Sequence, residues 1–261
     1  MADLESSRDG GALYLTLNRP DRKNALSADM RSEMIAQFEI ARTDRTVRVV
    51  VIRGQGGSFC SGGDVANMGQ RTPLEQVEFL QSSRRVIESI ANLPKPVIAA
   101  VEGAAAGAGF SLALACDLIV ASADARFSCA FVRLGLVPDQ GSSFFLVRQL
   151  GLHRAKRLVF SGEFLGAREA ASYGIVSDVW EPAVFESELA NTVRVFSSGP
   201  TASYGLAKKI LNRAFELDLA SALETEALGQ GLAVSTQDYA NGVRTFREGG
   251  SRQGGPGFTG R

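Results

Sequence analysis

Two short glycine-rich stretches stand directly behind apolar runs, and they are where chemistry is first legible. Phe59-Cys60-Ser61-Gly62-Gly63-Asp64 follows the β-branched run at 47–52, and Gly103-Ala104-Ala105-Ala106-Gly107-Ala108-Gly109 follows the run at 97–101. Glycine and alanine leave room for a ligand to approach main-chain N–H groups, and a helix starting behind such a turn aims its first free donors outward. Two turns of this kind brought together make an oxyanion hole, a pair of amides that stabilises negative charge developing on a carbonyl oxygen. Small residues behind a strand also serve plain packing, so the spacing alone leaves both readings open. Nucleotide cradling is not supported: there is no GxxxxGK[ST], and the second turn runs GxxxGxG where a dinucleotide fold needs GxGxxG. The single histidine, His153, excludes an HExxH zinc site and most histidine relays, and is read as a surface residue at a helix entry. Cys60, Cys116 and Cys129 are odd in number and form no CxxC pair, which points to reduced thiols; a cysteine nucleophile would need a positive partner that the sequence does not show.

These turns need strands and helices to hold them. Alternation at 12–17 ending in Asn18-Arg19-Pro20 predicts a strand, and Ser27 is placed to cap a helix to about residue 42, with Met30, Met34, Ile35 and Phe38 on one face. The run at 47–52, closed by Gly54-Gln55-Gly56-Gly57, predicts a buried strand. A helix is expected at 84–92, ending at Leu93-Pro94-Lys95-Pro96. Strands are expected at 97–101 and 118–120, with a buried helix at 110–115 between them. Beyond about residue 146 the pattern turns mostly helical, at 153–160, 167–173, 182–196, 201–217 and 220–234, before a glycine-rich tail at 249–257 that is expected to be mobile unless a ligand or subunit orders it.

Composition narrows the function classes. The 261 residues are 45% hydrophobic, enough for a substantial core, and 28 basic residues balance 28 acidic ones. No net positive field would gather nucleic acid or an anionic membrane. The apolar stretch at 97–123 is divided by Glu102 and Asp117 into pieces short of the ~17 residues that span a bilayer. The start, Met1-Ala2-Asp3-Leu4-Glu5, lacks the basic and apolar regions of a signal peptide. The expectation is a cytoplasmic protein with no metal and no nucleic-acid or membrane partner.

Five ordered motifs give the chain a resemblance to the crotonase superfamily, also called the enoyl-CoA hydratase/isomerase family, over nearly its whole length. They are Leu17-Asn18-Arg19-Pro20 with Asn24-Ala25-Leu26, the 59–65 turn ending in Asp64-Val65, the 99–109 segment, Ala115-Cys116-Asp117-Leu118, and Leu134-Gly135-Leu136-Val137-Pro138. The resemblance implies an α/β, ClpP/crotonase-like fold of stacked ββα units. Residues 1–197 would be the acyl-CoA-binding core and 198–261 a helical trimerisation region with its tail, giving a homotrimer or dimer of trimers. It implies Gly63 and Ala108 as the two N–H donors to a thioester carbonyl. The family usually has glycine at the second place, and alanine serves if its backbone angles suit a residue with a Cβ. It implies a coenzyme A thioester as substrate and no cofactor, with Lys23 and Ala25 near the adenine and phosphates, and Ser61, Asp64 and Val65 along the pantetheine and adenine. Asp64 is read equally well as the N-cap of a following short helix.

The two glutamates of the family's hydratases correspond to Ser111 and Phe131, both expected to line the substrate site. Neither is a general base, and a phenyl ring there makes the pocket drier. Asp139 stands where the resembled enoyl-CoA isomerases carry a single catalytic acid, and Val137, Pro138, Phe144 and Phe145 are expected to desolvate it; the competing reading makes it a cap for the next helix. The resemblance thus implies a Δ3,Δ2-enoyl-CoA isomerase. A hydratase (lyase) with an atypical acid/base and a non-catalytic acyl-CoA-binding homologue are the alternatives. Asp117 is expected to make a local backbone hydrogen bond, Glu102 to face solvent or site, and Arg154, Lys156 and Arg157 to form a solvated helix face. Residues between Met68 and Phe79 would shape the acyl pocket.

Overall fold

The computed structural model describes residues 2–64, 69, 71–249 and 257–261. Strand β1 (Leu4–Asp9) pairs antiparallel with β2 (Ala12–Leu17). β1 escapes sequence reading because its residues are polar and only Leu4 is buried, as an edge strand permits. Helix α1 (Ala28–Thr43) starts where expected: the Ser27 hydroxyl accepts the Met30 N–H at 3.1 Å, and Met30, Met34 and Phe38 are buried. β3 (Val49–Gly54) pairs parallel with β2 and has apolar residues on both faces, Val50 and Ile52 towards the main core and Val49 and Val51 towards a second one.

Helix α2 (Pro73–Asn92) is more than twice the length expected. A capping box starts it: the Thr72 hydroxyl accepts the Glu75 N–H at 3.3 Å and the Glu75 carboxylate accepts the Thr72 N–H at 2.7 Å. Its first half lacks an apolar stripe, with Leu74 and Val77 exposed, so periodicity detects only the second half.

The ββα repetition follows. β4 (Val97–Val101) leads to β5 (Ala104–Ala106) and α3 (Ala108–Leu114); β6 (Leu118–Ser122) leads to β7 (Arg126–Ser128), a 3-10 turn at Ala130–Leu134 and α4 (Ser142–Leu150). After them come α5 (Leu152–Ser161), β8 (Leu165–Gly166), α6 (Ala167–Ser172), β9 (Asp178–Trp180) and α7 (Phe185–Ser198). The large sheet runs β1-β2-β3-β4-β6-β9 and is parallel apart from β1; a small sheet, β5-β7-β8, lies at the ends of these strands. Leu112, Ala113, Phe110 and residues of α1 and α2 cover one face of the large sheet, while Phe185, Leu189 and Val193 of α7 cover the other. The chain has the α/β fold of stacked ββα units. β9 lies between the helices expected at 167–173 and 182–196, where no strand was anticipated; three residues pairing with β6 are too few to alternate visibly.

The division expected at 197/198 falls at the end of α7. Beyond it, α8 (Thr201–Leu211) is seated on the core: a Cβ at Gly205 would meet the Pro94 carbonyl at 2.5 Å, and the buried Lys208 Nζ donates to Ile90 O at 2.7 Å. α9 (Leu219–Ala233) buries none of its residues and exposes Leu219, Leu223, Leu228 and Leu232. α10 (Gln237–Arg247), unanticipated from sequence, is joined by the chain end, since Asp238 accepts the Gly260 N–H at 2.8 Å and Arg48 donates to Phe258 O at 3.0 Å. Most of the glycine-rich tail lies outside the described residues. No described helix is long and apolar enough to cross a membrane.

Candidate active site

The two glycine turns are stitched together. The Cys60 N–H donates to Ala104 O at 3.0 Å and the Ala106 N–H returns a bond to Cys60 O at 2.9 Å, a parallel bridge that extends the small sheet to the first turn. Asn24 fixes that turn from below. Fully buried with φ 56°, it donates to Gln55 O at 2.8 Å and Ser58 O at 2.6 Å and accepts the Arg19 N–H at 2.9 Å, so the Asn18-Arg19-Pro20 and Asn24-Ala25-Leu26 motifs are the clasp of the site.

At this seam a Cβ on Gly62 would lie 3.0 Å from Ala106 O and 3.5 Å from Ala108 N, so the chain at Gly62-Gly63 runs against the start of α3. Among the described residues neither the Gly63 N–H nor the Ala108 N–H donates to a protein acceptor. The Gly-Ala-Gly order has a steric reason. Gly107 has φ +52°, and a Cβ at Gly109 would stand 2.3 Å from Cys60 O; Ala108 has neither constraint, because its φ is negative and it begins the helix.

Asp139 approaches from the turn before α4. Gln140 (φ 49°) and Gly141 (φ 83°) reverse the chain, and the Asp139 carbonyl lies within hydrogen-bonding distance of Ser142 N (3.1 Å), Ser142 Oγ (3.0 Å) and Ser111 Oγ (3.1 Å). α4 is preceded by Gly141 with no side-chain cap, so the reading of the Asp139 carboxylate as a helix cap is corrected: its main chain is tied down while its side chain is left over. Its Oδ1 is buried with no hydrogen-bond partner among the described residues. Burial raises its pKa to about 6, against a smaller opposing pull from the Arg31 charge. Of the expected desolvating shell, Val137 is 79% exposed and Phe144 41% exposed, while Phe145 packs against the main core. Ser111, expected to touch substrate, is instead fully buried, and its hydroxyl is engaged by Asp139 O, Gly107 O and Ser142 Oγ. Phe131 is buried in the 3-10 turn as part of the main core.

The expected coenzyme A positions lie along the first turn. Lys23 is exposed with φ 48°, and its carbonyl accepts the Ser61 N–H at 2.9 Å; Ser61 is exposed and Ala25 buried. Asp64 accepts a hydrogen bond from Arg19 at 2.9 Å, in an ion pair. Val65, Met68 and the helix start proposed for Asp64 lie outside the described residues.

The sequence model of the family described as enoyl-CoA hydratase/isomerase matches residues 7–254. The chain belongs to the enoyl-CoA hydratase/isomerase family. It is 36% identical to a probable enoyl-CoA hydratase of Rhodobacter capsulatus, over 96% of this chain and 95% of the relative, and 34% identical to the 1,2-epoxyphenylacetyl-CoA isomerase of Escherichia coli, over 94% and 95%. Among solved structures, an enoyl-CoA hydratase from Polaromonas sp. JS666 superposes with a TM-score of 0.91 at 33% identity, covering 96% of this chain and 98% of that one.

One residue of this enoyl-CoA hydratase/isomerase family site was not found from sequence. Arg31, on α1, is buried, its charge acts on both Cys60 and Asp139, and its Nε has no hydrogen-bond partner. The signal was present: residue 31 precedes Met34 by three and Phe38 by seven, so it is a charge on the core-facing stripe. The thiols are not nucleophiles, because burial pushes Cys60 up to about 12 and Cys129 to about 11. Asp117, expected to make a local backbone bond, instead accepts a long-range one from Val97 N at 2.8 Å and pairs with Lys208 at 2.7 Å, fastening α8 to the sheet. Glu102 turns to Arg53 at 3.5 Å. His153, Arg154, Lys156 and Arg157 lie exposed on α5. Among the described residues no group of His, Cys, Asp or Glu could hold a metal ion.

Proposed function

We propose that this chain is a Δ3,Δ2-enoyl-CoA isomerase. The carrying observation is Asp139: a partly desolvated carboxylate with a bare buried oxygen, on a turn whose main chain is held by Ser111 and Ser142. A carboxylate with a pKa near 6 is mostly ionised at neutral pH and basic enough to exchange a proton. It removes a proton from C2 of a 3-enoyl thioester, and the electron pair moves through the C1–C2 bond onto the carbonyl oxygen. The Gly63 and Ala108 N–H groups hold the resulting dienolate oxygen. Protonated Asp139 then delivers the proton to C4, the double bond comes to rest between C2 and C3, and the carboxylate is regenerated. No water enters the balance.

Serine and phenylalanine at 111 and 131 support this reading over two-carboxylate hydration, the first because its hydroxyl is taken by the protein and the second because it has no ionisable group. In the same proposal, Lys23, Ala25, Ser61, Asp64 and Val65 form the coenzyme A edge, and Ser111 is a positioning residue. The exposed leucines of α9 and two open grooves of about 500 and 600 Å3 among α8, α9 and α10, remote from Asp139, support a homotrimer or a dimer of trimers. A cytoplasmic location completes it.

The test is to supply 3-enoyl-CoA and 2-enoyl-CoA separately in H₂18O and follow products by mass spectrometry. Isomerisation of the first with no 18O gain is the expected result. Hydration of the second as the faster reaction, or binding of both without turnover, refutes it.

A further inference from the structure

Arg31 is only 8% exposed, and its guanidinium is unevenly used. Nη1 donates to Ser27 O at 3.2 Å, whereas Nε is buried with no partner and Nη2 donates to no described group. Nε and Nη2 form the side-on edge of the guanidinium, two parallel N–H donors spaced to match the two oxygens of a carboxylate. A buried cation left half-satisfied is costly unless something occupies it. Among the described residues no carboxylate fills this edge. Asp64 is paired with Arg19 at 2.9 Å, and Asp139 keeps a bare oxygen and forms no ion pair with Arg31. Arg71 adds to the excess of positive charge: its guanidinium lies 4.0 Å from the centroid of the Phe79 ring, and that of Arg31 lies 5.1 Å from the same centroid. Buried between α1 and the Phe79 ring of α2, with a charge that also acts on Cys60, beside the oxyanion turn, and on Asp139, Arg31 sits at the inner end of the site and not at the exposed rim at Lys23.

We propose that Arg31 is the specificity residue of the acyl pocket, and that its Nε–Nη2 edge binds the carboxylate of an acyl-CoA whose acyl group carries a second carboxyl function. The proposal rests on the reading of this site as an acyl-CoA pocket, but not on which reaction Asp139 performs. Ionised Asp139 repels a carboxylate held too near it, so chain length selects which dicarboxylic acyl group reaches Arg31 while keeping its C2 at Asp139.

The test uses saturated analogues that cannot react. Succinyl-, glutaryl- and adipyl-CoA are compared with butyryl-, pentanoyl- and hexanoyl-CoA by calorimetric titration of the full-length protein. In at least one pair the carboxylated analogue is expected to bind about tenfold or more tightly, the usual worth of a hydrogen-bonded charge pair. In Arg31→Met the two members of that pair bind alike, and in Arg31→Lys, which keeps the charge without the fork, the preference shrinks without vanishing. No preference at any length in the wild type overturns the proposal, and so does a preference that survives in Arg31→Met; the wild-type comparison stands even if a variant fails to fold. Failure of the isomerase reading appears separately, as absence of double-bond shift on 3-enoyl-CoA while this binding preference persists.

Discussion

Replacing Asp139 with asparagine should make the protein more stable and inactive at once. The carboxylate is held in its charged form at neutral pH although burial favours the neutral acid, and the pKa moves from 3.8 to about 6. Two pH units correspond to about 3 kcal/mol, and partial solvent access around the group reduces this to about 1.5 kcal/mol. The direction follows from proton uptake. Between pH 3.8 and 6 the folded state binds more protons at this site than the unfolded one, so the contribution of Asp139 to stability is greatest at low pH and falls as pH rises through 6. Asparagine resembles the neutral acid and removes that penalty. Urea unfolding of wild type and Asp139→Asn at equal protomer concentration should therefore show the variant more stable by about 1.5 kcal/mol at pH 7.5, with the gap closing towards pH 4.5. Turnover of 3-enoyl-CoA should disappear, and wild-type kcat/KM should rise with pH through about 6 as the base ionises. A variant that is less stable at pH 7.5, or a gap that does not change with pH, would show that Asp139 is not a strained charge and that its pKa has another origin.

Other perturbations separate the parts of the site. Ala108→Pro removes one N–H at the first position of α3, where proline is tolerated; steady-state assays should show kcat lower by about 10²–10³ with coenzyme A binding retained. Gly109→Ala puts a Cβ 2.3 Å from Cys60 O, so thermal melting should fall together with activity as the turns are forced apart. Ser111→Ala leaves the Asp139 carbonyl held by Ser142 alone, at a cost of about 1 kcal/mol in unfolding measurements, and should lower kcat while shifting the pH profile, which a purely structural bond would leave in place. Lys208→Met removes a buried ammonium together with its bonds to Ile90 O and to the solvent-accessible Asp117, and chemical denaturation should show a loss of about 1.5 kcal/mol.

The parts of this molecule legible from its residues are those that steric exclusion dictates. Val97–Val101 and Ala12–Leu17 read as strands because buried parallel or neighbouring strands require apolar runs or alternation, and both form with the expected bounds. Gly107 and Gly109 mark the second turn because one has a positive φ and the other a carbonyl where its Cβ would be. β1, β9 and the first half of α2 were missed for the opposite reason: an edge strand, a three-residue strand and an exposed helical segment impose no apolar pattern.

Side-chain chemistry is less legible, because it depends on what the rest of the fold leaves unpaired. Ser111 looked like a pocket residue from its place in the resembled pattern, yet a hydroxyl is small enough to be captured by the neighbouring turn, and in the structure it serves the main chain of Asp139. Asp139 and Asp117 show the contrast most clearly. Both are acidic residues beside helix boundaries, but Lys208, ninety-one positions along the chain, neutralises Asp117, while nothing among the described residues bonds Oδ1 of Asp139. The pairing of one carboxylate and the bare oxygen of the other are long-range facts, set when α8 docks against the end of α2 and Asp117, and when the Gln140-Gly141 turn separates Asp139 from the first residue of α4. Arg31 lies between these cases, since a cation on a core-facing stripe can be read from periodicity, whereas its unpartnered Nε appears only in the folded chain.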